Sequence, residues 1–351
     1  MVSLADHPSG DRSLLAARLT MALALLLLCV AAASLTVGAA STSVWQTMGD
    51  ILAGREVSLR DRVVLWDIRV PRLIMGCLVG AGLAISGAIM QGLFRNPLAD
   101  PGIVGVSAGA SLGAVMAIVL GGMLPFAPLF GSWLVPASAF GGAWASTILL
   151  YRIATRQGRT SVATMLLAGI ALTALTMALT GVLVYMADDT QLRDFSFWNL
   201  GSLAGASWSK LAVAAPMILL PVLLAPLLAP GLNALALGEA AAGHIGFRVE
   251  RLKGTAILIT AAATGAAVAA SGGIGFVGIV VPHLLRLLSG PDHRYLLPNA
   301  ALLGAILLVL ADLVARVIIA PAELPIGIIT ALIGGPFFLW ILLRQRGLAE
   351  L

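Results

Sequence analysis

VPRLIMGCLVGAGLAISGAIMQGLFRNPLADP, residues 70–101, holds the run whose reading decides the fold. Positions 70–93 carry a single charge, Arg72, and end just before Arg95. About 20 apolar residues wound as a helix cross the hydrocarbon of a bilayer, so 70–93 is a membrane span. Outward from it the pattern repeats. Of 351 residues, 60% are hydrophobic and 11% charged, against about a quarter charged in a soluble domain. Hydropathy predicts ten spans, at 18–38, 70–93, 103–122, 129–151, 161–187, 210–229, 252–271, a short one at 275–289, 299–319 and 326–343. Small residues Ala31, Ala32 and Ala33 after the first run would suit a cleavable signal, but nine later spans favour a retained helix. The remaining segments run to about a dozen residues each, far below the roughly 50 needed for a domain. Residues 1–351 therefore read as one all-α polytopic membrane domain with no fused ATPase or ligand-binding module.

The net charge of +5 is scattered among short loops, which fits topology better than a nucleic-acid partner. With the N-terminus cytoplasmic, thirteen basic residues fall inside and seven outside, which places both termini in the cytoplasm. Of the outside charges Arg55, Arg60, Arg62, Arg69, Arg72, Arg193 and Lys210, the first four crowd into the external loop 39–69. Two readings of that loop stand level: docking of an acidic partner, or solvated pairing with Glu56, Asp61 and Asp67. The stretch FSFWNLGSLAG (195–205) is too short to span and rich in interfacial aromatics; with the residues from 190 it reads as an external lip helix.

Inside the cell lies LGEAAAGHIGFRVERLK, 237–253. Ala240, Ala241 and Ala242 favour helix, Gly243 and Gly246 punctuate it, and Glu239 in the first turn suits the helix dipole. The residues alone favour a solvated connector over a docking element. Asp312 and Arg316, four apart in the ninth span, predict a structural ion pair, with Arg316 snorkelling toward the outer surface. Two unpaired mid-bilayer charges would cost about 5–7 kcal/mol, so a pair is preferred to a proton relay. Gly and Pro cluster at 95–101, 271–286 and 323–337, predicting broken helices beside cavities or interfaces. Cys29, Cys77 and the dispersed histidines, His283 among them, form no set at metal-ligand spacing. No phosphate loop or catalytic triad is present, so catalytic, metal and cofactor residues are all expected to be none. A proton-coupled secondary transporter is the reading from another class.

Five strings together resemble FecCD-type permeases: residues 69–110, LGEAAAGHIG at 237–246, 275–298, ADLVAR at 311–316, and ELPIGIITALIGGPFFLW at 323–340. The resemblance implies the fold of cobalamin-importer permeases, ten helices and a homodimer in the bacterial inner membrane. It implies import by alternating access, driven by two separate ATPase subunits that hold the ATP and magnesium, with cargo handed over by a periplasmic binding protein. It makes 237–253 a cytoplasmic coupling segment in which Gly238, Glu239, Ala242, His244 and Gly246 meet the ATPase; Glu239 and Ala242 fit a GExxA pattern, while His244 departs from the longer residue usual there. By location, Arg55, Arg60 and Arg62 become the binding-protein contacts, and Thr160, Ser161 and Thr164, at the start of the fifth helix, gate candidates. QLRDFSFWNLGSLAGASW (191–208) is most similar to haem permeases and adds Arg193 and Trp198 at the lip. Haem is the cargo implied, with a ferric siderophore or cobalamin as the alternatives.

Overall fold

A computed structural model describes residues 12–37, 47, 49, 50, 53, 55, 58–125 and 127–349. Among the described residues, eight helices are long and apolar enough to cross a membrane: α1 Ser13–Thr36, α2 Leu59–Leu93, α3 Val106–Met123, α4 Ala127–Ala154, α5 Val162–Met186, α7 Trp208–Ala236, α9 Val249–Ser271 and α11 His293–Val317. Two further apolar helices, α10 Val277–Ser289 and α12 Ile326–Ala349, stand where the other two of the ten expected spans fall. Between them lie α6 Asp189–Leu200, α8 Glu239–His244, and a small hairpin of β1 Thr155–Arg156 and β2 Arg159–Thr160.

The stretch quoted first is the axis of the molecule. In α2, 78% of the apolar window is buried, against 17% in α1 and in α5, and α2 packs on α7, α9, α10 and α11. Lipid tails are as apolar as leucine, so close backbone packing, not hydrophobic exclusion, holds such helices together. A Cβ on Gly80 would strike the Gly304 carbonyl, and one on Gly87 the Gly278 carbonyl. A second group forms in the same way, with Gly109 and Gly113 of α3 against Gly142 and Ser138 of α4, and α5 beside them.

Several helices start earlier than hydropathy predicts. α2 begins at Leu59 rather than 70, because Ser58 caps it, accepting from the Asp61 N–H at 3.1 Å, and a π-helical stretch Val63–Arg69 carries it past Asp67. α11 begins at His293 rather than 299, capped by Asp292. The lip helix starts at Asp189, where Asp188 and Gln191 form a capping box, and stops at Gly201, whose φ is +72°. Local hydrogen bonds set these ends, and a hydropathy window does not register them.

The glycine breaks meet at the outer face. Ser202 N–H donates to Ser271 O at 2.7 Å, Ile326 N–H to Gly201 O at 2.9 Å, and Gly273 N–H to Trp198 O at 3.3 Å. The gap between α9 and α10, the end of α6 and the start of α12 thus satisfy one another's peptide groups, as non-helical backbone at membrane depth must.

Candidate functional site

On the face where α1 begins and α12 ends, Gly238 (φ +107°) turns the chain out of α7 into the six-residue α8. Ala242 is the fully buried residue of α8, while His244 at its last position and Ile245 and Gly246 after it stand exposed. Glu239, in the first turn, is about half-exposed and accepts from Lys253 Nζ at 2.7 Å.

Lys253 lies one turn into α9, and its side chain is 3% exposed. An ammonium has three protons, and here all three find acceptors: Glu239 Oε2, Thr160 O at 2.9 Å and Glu250 Oε1 at 3.2 Å. Glu250 in turn accepts the Thr160 N–H on Oε2 at 2.8 Å. Both peptide groups of Thr160 are therefore fastened to α9, and one cation joins three separate elements. Burial of a charge is tolerated when every proton is bonded and the partners carry opposite charge.

Thr160 closes the β1–β2 hairpin, its hydroxyl 3.0 Å from that of Thr155, and Ser161 follows as the cap of α5. Ser161 Oγ accepts from Thr164 N–H at 3.2 Å and from Thr164 Oγ at 3.0 Å. The three residues singled out at the fifth helix are thus brought together, and two of them serve its N-terminus. Only the Glu250–Lys253 spacing hints at the cluster in sequence; its links to Thr160 and Glu239 span loops.

The outer face holds a second buried cluster and corrects three expectations. Asp312 and Arg316 do pair, Nε to Oδ2 at 3.2 Å. Arg316, however, does not snorkel. It is 7% exposed and reaches inward to α1, donating to Ser34 Oγ at 2.8 Å and the Val37 carbonyl at 3.3 Å. Arg72, counted above as an outside charge, is 6% exposed and bonds Asp312 at 2.9 Å and Glu323 at 2.9 Å. Arg69, counted with the docking loop, is buried and donates to Leu35 O at 2.5 Å. Unpaired backbone carbonyls at the end of α1 and carboxylates elsewhere in the chain hold these arginines more strongly than solvent does.

Arg55, Arg60 and Arg62 stay exposed. Arg55 is 3.6 Å from Asp50, and Asp61 accepts from Ser58 Oγ rather than pairing with an arginine among the described contacts; Glu56 lies outside the described residues. Arg193 and Trp198 are five apart on α6, so they face different ways: Arg193 is exposed, while Trp198 packs on the core. A cleft of about 590 Å³ opens between α3, α4 and α5, walled by Leu112, Met116, Leu120, Leu134, Leu172 and Leu179. Two of its three hydroxyls are bonded to backbone, Ser146 donating to Gly105 O and Thr176 to Leu172 O; Ser138 is the third hydroxyl in the lining.

The FecCD transport family model matches residues 25–344. The hemin transport system permease protein HmuU of Yersinia pestis is 50% identical over 283 residues, 80% of this chain and 84% of that protein. The cobalamin import permease BtuC of Halobacterium salinarum is 46% identical over 285 residues, 81% and 74% respectively. The vitamin B12 import permease BtuC of Salmonella typhi is 41% identical over 329 residues, 93% and 95%. A solved chain, described as an inward-facing conformation of a metal-chelate type ABC transporter, superposes with a TM-score of 0.82 at 34% identity, covering 93% of this chain and 99% of that one. The chain belongs to the FecCD transport family, and it is a multi-span permease of the bacterial inner membrane.

Proposed function

We propose that this FecCD-family chain is the permease subunit of an ATP-binding-cassette importer that carries haem into the cytoplasm by alternating access. The observation that carries the cargo assignment is the 50% identity to a hemin permease across most of both chains. The cleft between α3, α4 and α5 agrees with it: a lining dominated by Leu, Met, Ala and Gly, with two of its three hydroxyls already bonded to backbone, suits a flat apolar ring better than a hydroxyl-rich siderophore. Arg193, exposed on α6, has the charge to meet the propionates.

In this reading α8 is the ATPase-docking helix. Glu239, His244 and Gly246 lie toward the ATPase, Gly238 sets the helix's exit from α7, and Ala242 seats it. Hydrolysis, with its ATP and magnesium, belongs to two partner subunits. The exposed faces of α5 and α12, with Leu167, Ile170, Leu332 and Leu339, serve a second copy of the chain or lipid. Arg55, Arg60 and Arg62 meet an acidic periplasmic binding protein. Thr160, Ser161 and Thr164 form the inner gate.

Cobalamin is the second reading, favoured by the 46% identical relative. A proton relay through Asp312 has little support, since Arg72 and Arg316 both hold that carboxylate. The test is uptake by cells lacking this chain, supplied in parallel with labelled haem, cobalamin and a ferric siderophore. Loss of haem uptake alone is expected; loss of another cargo alone overturns the cargo assignment and keeps the machinery.

A further inference from the structure

We propose that Lys253 is the positioning residue that makes α8 and the β1–β2 hairpin move together, so that displacement of α8 resets the first turn of α5. The proposal rests on the reading of α8 as the ATPase-docking helix.

The geometry supplies the reason. α8 is six residues long, and among the described contacts its one ion pair to the rest of the chain is Glu239 to Lys253. The hairpin is two residues on each strand, too short to hold its own position. Its last residue, Thr160, is fixed by its N–H to Glu250 and by its carbonyl to Lys253. Lys253 is the atom-level junction of the two, with no proton left over. A pull on Glu239 draws on the same ammonium that holds Thr160 O, and Thr160 is joined directly to Ser161, the cap of α5.

The lysine stem has four rotatable carbons and a compact charge. It therefore tolerates small shifts of α8 without breaking, and passes larger ones to the hairpin. Glu239 and Glu250 are 45% and 36% exposed, so water is at hand to take over either carboxylate when the bond opens. A merely structural tie would affect folding and leave the work obtained per ATP unchanged. A coupling role changes that ratio.

The experiment uses the full importer, with its ATPase subunits and binding protein, in proteoliposomes. Labelled haem and cobalamin are the transported probes, and hydrolysis is followed alongside. With Lys253→Met, hydrolysis is expected to stay within about twofold of the unsubstituted complex while cargo moved per ATP falls at least tenfold; Lys253→Arg recovers a substantial part. In parallel, Arg159→Cys in a background with Cys29 and Cys77 replaced by Ala reports hairpin exposure to a thiol reagent with and without ATP and vanadate. The ATP-dependent change in labelling should vanish with Lys253→Met.

Equal transport per ATP and an undiminished labelling change in Lys253→Met would overturn the proposal while leaving the docking reading intact. Loss of complex formation on Glu239→Arg, with hairpin labelling responsive in the parent, supports the docking reading separately. No response in the parent and no effect of Glu239→Arg would sink both. If Lys253→Met yields no assembled complex, Glu250→Gln replaces it: transport per ATP should fall severalfold with hydrolysis retained, and an unchanged ratio overturns the proposal.

Discussion

Arg72 and Lys253 are both buried cations that bridge two carboxylates, one at each face of the same bundle. Arg72 joins α2 to Asp312 in α11 and to Glu323 ahead of α12, and Asp312 passes the contact to Arg316, which reaches α1. Asp312 is 4% exposed, so the cluster ties long, tightly packed helices through a planar guanidinium that fixes direction as well as charge. Lys253 joins α9 to a six-residue helix through Glu239 and to a two-stranded turn through the Thr160 carbonyl, and both of its carboxylates, Glu239 and Glu250, are open to water. The comparison teaches that ion-pair count says little by itself. What the pair connects, and whether its acceptors remain hydrated when it opens, separates a lock from a linkage.

The largest expected effect follows from Asp312→Ala. It strips the shared carboxylate from two buried arginines, and removing one partner of a buried pair costs about 3–5 kcal/mol. Thermal unfolding of the detergent-purified chain should show a marked drop, or little folded chain should be recovered. Lys253→Met comes next, at about 1–2 kcal/mol, chiefly for the Thr160 carbonyl left without its donor, because both glutamates can hydrate. If the two substitutions destabilise equally, the distinction between the faces collapses.

Glu323→Gln sharpens the comparison within the outer cluster. Glu323 is 37% exposed and keeps an amide oxygen to accept from Arg72 Nη1, so less than about 1 kcal/mol should be lost. A loss near that of Asp312→Ala would mean that Glu323, rather than Asp312, holds Arg72 in place.

The sequence disclosed much of the first cluster and little of the second. Ten spans were legible because apolar length is a local property, and the Asp312–Arg316 pair because helical spacing is local too. Arg72 misled, since a charge next to a span boundary looks external until its partner 240 residues away is known. Arg316 misled for the same reason: the Ser34 and Val37 groups that draw it inward belong to α1. At the inner face, Thr160, Glu239 and Lys253 were each within segments singled out for function, yet nothing in their spacing joined them. Peptide groups such as those of Thr160 carry no side-chain signature, so a bond made by backbone leaves no trace in the residue string.

The smallest effect on stability is expected at Arg60 and Arg62, which are exposed and have no ion pair among the described contacts. Replacing both with Glu should leave the unfolding temperature unchanged, since no buried charge is orphaned and exposed ion pairs contribute little. If they meet an acidic binding protein, its association rate with the purified importer should drop at low salt. The gap from the unsubstituted complex should close as salt rises, because rim charges act on encounter and are screened over about 10 Å at 0.1 M. Equal association rates at low salt would assign these arginines to solvation alone. A measurable drop in unfolding temperature would show instead that they belong, like Arg69 and Arg72, to the buried charge network of the outer face.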